Sequence, residues 1–136
     1  MKVSFFSLLG VILLASFMGC TKPVNILVVL GGHDFDTTEF FDLFHTLEGV
    51  NMDSVYYPEA MEVMQSGESD AYDVLVFYDY VPDLPEADST VFLNLTSEGK
   101  PLLFLHHALG SFQHWDGYME MLCGKGTSCN KGHGGL

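Results

Sequence analysis

The sequence predicts an open α/β domain: a parallel sheet with helices on both faces. Two short runs, Asn25 to Leu30 (NILVVL) and Tyr72 to Tyr78 (YDVLVFY), are dominated by β-branched and large apolar residues with almost no polar alternation. Such runs mark strands buried on both faces. Segments with apolar residues at helical spacing alternate with them, the order expected of parallel strands joined by right-handed crossovers. The 136 residues are enough for one domain and too few for two.

Taken in order, the first strand is broken by Gly31-Gly32-His33-Asp34. Thr37 or Thr38 followed by Glu39 then opens a helix in which Phe40, Phe41, Phe44 and Leu47 recur at helical spacing up to Gly49. A second strand is expected over Ser54 to Tyr57, and a short helix or turn over Pro58 to Ser66 with Met61 and Met64 facing inward. The third strand leads into a loop, Asp79 to Pro85, marked by Pro82 and Pro85. Glu86 to Ser97 is the next helix, closed by Gly99; Pro101 to Leu105 (PLLFL) is a fourth strand, and Phe112 to Leu122 a last helix. Residues 124–136 form a glycine-rich irregular tail that cannot supply a strand. The α/β domain is therefore expected at 21–123, breaking off after about four strands, where doubly wound sheets usually have five or more.

Charge narrows the function. Eighteen acidic residues stand against five basic ones, giving a formal charge of -13, and all five are lysines. Without arginine there is no fork for a phosphate or a guanine edge. The field of the whole chain repels a nucleic-acid backbone, so nucleic acid is excluded as a partner and anionic substrates are disfavoured. An apolar content of 48% excludes disorder.

Residues 1–20 read as an export signal: Lys2, an uncharged apolar run from Val3 to Met18, then Gly19-Cys20. The run is shorter than the roughly 20 residues that span a bilayer as a helix. The small residue before Cys20 resembles a lipobox, which implies lipidation of Cys20 and a membrane anchor in a bacterial cell envelope, in the periplasm or at the outer membrane. Cys123 and Cys129 remain, in a C-x5-C spacing that fits no zinc knuckle; they are either a pair or two separate thiols.

In open α/β sheets ligands bind beyond the carboxyl ends of the strands. That rule places His33 and Asp34 after the first strand, Asp79 and Tyr80 after the third, and His106 and His107 after the fourth. Imidazoles there can act as acid, base or metal ligand near neutral pH. Each has a plainer alternative: His33 as a turn residue bonding its own loop, and one of His106 and His107 as a buried core histidine, since neighbours point in different directions. His114, in the last helix, reads as a solvated polar position or, with Trp115, as a ligand contact, and His45 as a structural residue beside Phe44. Phe35, Tyr80 and Trp115 would suit stacking on a sugar. Gly124-Lys125-Gly126-Thr127 is not a phosphate loop, because Met119 occupies the place of its first glycine. Leu105 to Phe112 has the shape of a nucleophile elbow but no cysteine, and Ser111 lies too far along it.

ILVVLGGHDF, YDVLVFYD and GKPLLFLHHALGSFQHWDGYMEMLCG resemble, in order and spacing, the trehalose-utilisation family of ThuA-like domains. The similarity covers about Val24 to Gly124. It implies a flavodoxin-like topology of the glutamine amidotransferase kind, with His107-Ala108, or His106 one step earlier, at the elbow where amidotransferases keep a cysteine. It also implies sugar or keto-sugar processing in disaccharide utilisation, with His33 and one histidine of the pair as acid and base or as ligands of a divalent metal. The alternative is a non-catalytic sugar-binding or assembly lipoprotein, or an inactive remnant.

Overall fold

A computed structural model describes residues 22–123. Residues 1–21, with Cys20 and the expected export signal, and residues 124–136, with Cys129 and His133, lie outside the described residues. The domain is an open α/β fold built on four strands, all parallel, in the order β2-β1-β3-β4. The strands are β1 (Val24–Gly31), β2 (Val50–Tyr56), β3 (Val74–Asp79) and β4 (Leu102–Phe104). The helices are α1 (Thr37–His45), α2 (Glu59–Ser66), α3 (Glu86–Ser97) and α4 (Asp116–Cys123), with 3-10 turns at Glu68–Ala71 and His106–Gly110. The strand order is the flavodoxin-like one, in which the chain steps from β1 to one side and then returns to the other.

β1 and β3 are buried on both faces, as their composition requires. Ile26, Val28 and Leu30 pack with Phe44 and Val76 under α1. Leu27, Val29, Leu75 and Phe77 pack on the other face with Ala60, Met61 and Met64 of α2, Val91, Phe92 and Leu95 of α3, and Tyr118 of α4. Thus Met61 and Met64 face inward as expected. The Asp36 carboxylate caps α1 by accepting from the amides of Thr38 (3.1 Å) and Glu39 (3.3 Å), and α3 has the bounds read from the sequence.

Five elements differ clearly from expectation. The first is α1, which ends at His45 and leaves the exposed Leu47 outside it. β2 begins at Val50 rather than Ser54, because register with β1 starts at Val24 opposite Val50. At a sheet edge the polar Asn51 and Asp53 stay exposed while Val50, Met52 and Val55 cover the core. β3 starts two residues late and takes in Asp79, which the sequence assigns to the following loop. β4 is only three residues long. The last helix begins at Asp116, not Phe112, because Phe112 is drawn wholly into the core with φ +49, a conformation that no helix continues through.

Candidate functional site

Three chain segments leave the carboxyl edge of the sheet side by side. After β1 come Gly31, Gly32 and His33; after β3, Tyr80 to Pro85; after β4, Leu105 and the two histidines. The point where strand order reverses lies between β1 and β3. The loops are stitched together there, the Tyr80 amide donating to the Gly31 carbonyl at 2.8 Å. Gly32, at φ +79, sits so close that a Cβ would lie 1.8 Å from the Tyr80 carbonyl oxygen.

His33 and His107 meet across this edge with ring centroids 4.6 Å apart, and His106 lies 3.9 Å from His107. Three of the sequence-predicted site residues therefore form one imidazole cluster, bordered by Tyr80, 6.2 Å from His107. His106 adopts φ +50 at the junction of β4 and its 3-10 turn. A non-glycine residue in the left-handed region at a strand-to-helix turn is the backbone geometry of a nucleophile elbow, which thrusts a side chain out over the sheet edge. The histidine that holds the elbow is therefore His106, and His107 follows it. Both are exposed, so neither is the core histidine that the sequence allowed.

His33 is half-buried and tied to its loops. Its Nδ1 lies 3.1 Å from the Asp34 carbonyl oxygen and its Nε2 3.3 Å from that of Tyr78. The turn-residue alternative is thus realised, at the carboxyl edge of the sheet. A ring with a carbonyl at each nitrogen has no lone pair directed at a metal. Among the described residues no group of three or more His, Cys, Asp or Glu side chains is set to hold one, so a divalent metal would require His33 to turn away from both carbonyls. Burial, together with the neighbouring His106 and His33 rings, lowers the pKa of His107 below the usual imidazole value. That shift favours the neutral, proton-accepting form of His107.

Asp79 behaves differently from a ligand-binding carboxylate. It is fully buried, on the same face of β3 as Leu75 and Phe77. Its Oδ2 accepts from the Ser111 hydroxyl at 2.8 Å, while Oδ1 has no hydrogen-bond partner in the structure. Burial pushes its pKa up to about 6, against the opposing effect of the Ser111 bond. Ser111 in turn accepts from the Val81 amide at 3.1 Å, so its hydroxyl is committed to joining the post-β3 and post-β4 loops and is not a nucleophile. Asp34 is exposed and meets His33 only through its backbone carbonyl among the contacts described.

His114 and Trp115 do not join the histidines. They lie in the turn before α4, where His114 pairs with Asp83 at 2.6 Å, both side chains largely exposed. With Leu84, Glu86 and Ser89 they line a separate cavity of about 350 Å³. Phe35 is used internally, packed on His33, Phe40 and Tyr78. His45 is exposed, its Nδ1 3.9 Å from Asp42, so it is a surface residue rather than a packing one.

Two residues at this edge escape the sequence reading. Tyr78 stands 4.9 Å edge-on from His33 and supplies its carbonyl to it; strand alternation from Val76 would have placed it on that face. Tyr57, after β2, lines a cleft of about 560 Å³ that continues past Tyr80 through Val81, Pro82, Leu84 and Pro85. No family model, curated protein or solved structure matches the chain.

Proposed function

We propose that the chain is an exported lipoprotein, anchored through Cys20 in a bacterial cell envelope, whose carboxyl edge binds and processes an uncharged sugar or keto-sugar. The observation that carries this reading is the meeting of His33, His106 and His107, from two separated loops, at the point where strand order reverses. The resemblance to ThuA-like domains supplies the substrate class, and the absence of arginine with a charge of -13 argues for a ligand without negative charge.

The chemistry that suits such a cluster is proton transfer at the carbon beside a ketone. His107, held neutral, takes the proton from that carbon, and His106, projected from the elbow, donates one to the ketone oxygen as the enediol forms. Return of a proton to the opposite face of that carbon, with the oxygen's proton taken back by His106, completes an epimerisation; return to the former carbonyl carbon, with loss of the proton of the neighbouring hydroxyl, completes an isomerisation, and neither changes the net number of protons. His33, fixed by its two carbonyl partners, is a positioning residue that holds the His107 ring. Single removal of such a base typically costs about 100-fold or more in rate.

Exchange of the α-proton of a ketohexose such as fructose with solvent deuterium tests this by NMR. His107→Ala is expected to slow the exchange by about 100-fold while calorimetric sugar affinity changes less than threefold. The wild-type rate should fall as acid protonates His107. Equal exchange in wild type and variant would overturn the catalytic role. Sugar binding without any exchange would place the protein among binding lipoproteins instead. For the anchor, Cys20→Ala should accumulate as unprocessed precursor, and a variant processed and released like the wild type would refute lipidation.

A further inference from the structure

The cleft beside the histidines is unlike a bare sugar site. It is lined by Tyr57, Pro58, Met61, Val81, Leu84 and Pro85, with Asp83 and Asp88 as its charged groups. A pyranose ring demands hydrogen bonds along most of its edge, and this wall offers few. The Tyr57 hydroxyl is turned to the Met61 sulfur at 3.3 Å, and the Tyr80 hydroxyl already accepts from Gln113 at 3.0 Å. Apolar ligand surface, in contrast, gains wherever it is taken out of water.

Tyr80 joins the two regions. Its ring borders His107, and the same residue lines the cleft, so Tyr80 is the shared wall across which one ligand would reach from the imidazoles to the apolar surface. Charge restricts that ligand further. Among the described residues the lysines are Lys22 and Lys100, which lie at the amino ends of β1 and β4, the latter donating to the carbonyls of Ser69 and Tyr72. The carboxyl edge therefore carries Asp34, Asp83 and Asp88 with no lysine or arginine among the described residues to offset them.

We infer that the site takes a glycoside of a keto-sugar, with its ketone on a ring carbon other than the one bearing the aglycone and with the aglycone apolar and uncharged: the sugar faces the histidine cluster and the alkyl or aryl group lies in the cleft between Tyr57 and Leu84. The inference rests on the sugar reading above for its polar half and on the cleft alone for its apolar half. An acidic or phosphorylated aglycone is rejected by Asp83 and Asp88.

Calorimetry on the full chain with glucose, phenyl glucoside, benzyl alcohol and phenyl phosphate tests it. Phenyl glucoside is expected to bind at least about tenfold more tightly than glucose, and phenyl phosphate not measurably. Leu84→Asp should abolish that gain and leave glucose affinity unchanged. Asp83→Lys, at an exposed position, should allow phenyl phosphate to bind and serves where the first variant does not fold. Glucose binding with no gain from the phenyl group would overturn the cleft assignment and leave the sugar reading standing. Benzyl alcohol and phenyl glucoside binding equally, with glucose not bound, would uphold an apolar cleft and overturn the sugar reading, and with it the glycoside.

Discussion

Asp79→Asn is expected to remove most of the dependence of stability on pH between 4 and 7. The Asp79 carboxyl is fully buried and titrates at about 6 in the folded chain against 3.8 for the free side chain. Between those values the folded state keeps a proton that the unfolded state has lost. The contribution of Asp79 to stability is then greatest below about pH 4 and is lost as pH rises through 6. Each pH unit between the two titrations is worth roughly 1.4 kcal/mol, so the whole loss is about 3 kcal/mol. Asparagine keeps an oxygen to accept from Ser111 and never ionises. Its own offset, from a buried amide without a partner, is the same at every pH and cancels in the comparison. Urea denaturation at pH 4 and at pH 7.5 should show the variant gaining about 3 kcal/mol relative to the wild type between the two. Parallel stability curves for the two proteins would mean that Asp79 is ionised and solvated, contrary to its burial.

Gly32→Ala should be the most damaging single-methyl change in the domain. The position combines φ +79 with a Cβ site 1.8 Å from the Tyr80 carbonyl oxygen, and the obstacle is backbone that cannot swing aside. Left-handed backbone costs an alanine about 1 kcal/mol, and forced separation of two packed loops adds more, on the order of 3 kcal/mol or above in total. Gly49→Ala is the control. It has φ +75 and nothing within 4 Å of a new Cβ, so it should lose only about 1 kcal/mol. Similar denaturation midpoints for the two variants would show that the crossing of the post-β1 and post-β3 loops is not tight. Because Tyr80 stands between the histidines and the cleft, Gly32→Ala should also weaken phenyl glucoside binding even where the fold survives.

Local chemistry was enough for the elements whose burial is decided along their own length. β1 and β3 declare themselves because a strand covered on both faces must be apolar at every position, and α3 is bracketed by Pro85 and Gly99. The strand ends then follow, and with them the placement of His33, His106 and His107 at one edge. β2 was under-read because at the sheet edge Asn51, Asp53 and Ser54 stay exposed, and these polar positions disguised its first half.

What the sequence alone determined is the layered α/β class, the parallel strands and the edge at which the histidines gather; each follows from periodicity and composition within a few residues. Only the tertiary structure decided which of those residues meet. Phe112 satisfies a helical pattern locally, yet packing against Phe92 and Tyr118 turns it inward, and its amide bonds the Val81 carbonyl at 2.6 Å. That turn starts α4 late and carries His114 and Trp115 into a different cavity. Asp79 sits at the strand end where a ligand contact is expected, but strand parity sends it beneath the helices, where burial keeps it from a ligand and raises its pKa. The strained backbone at His106 and the approach of Gly32 to Tyr80 arise from loops far apart in the chain. Long-range packing sets such contacts, and no local pattern of residues encodes them.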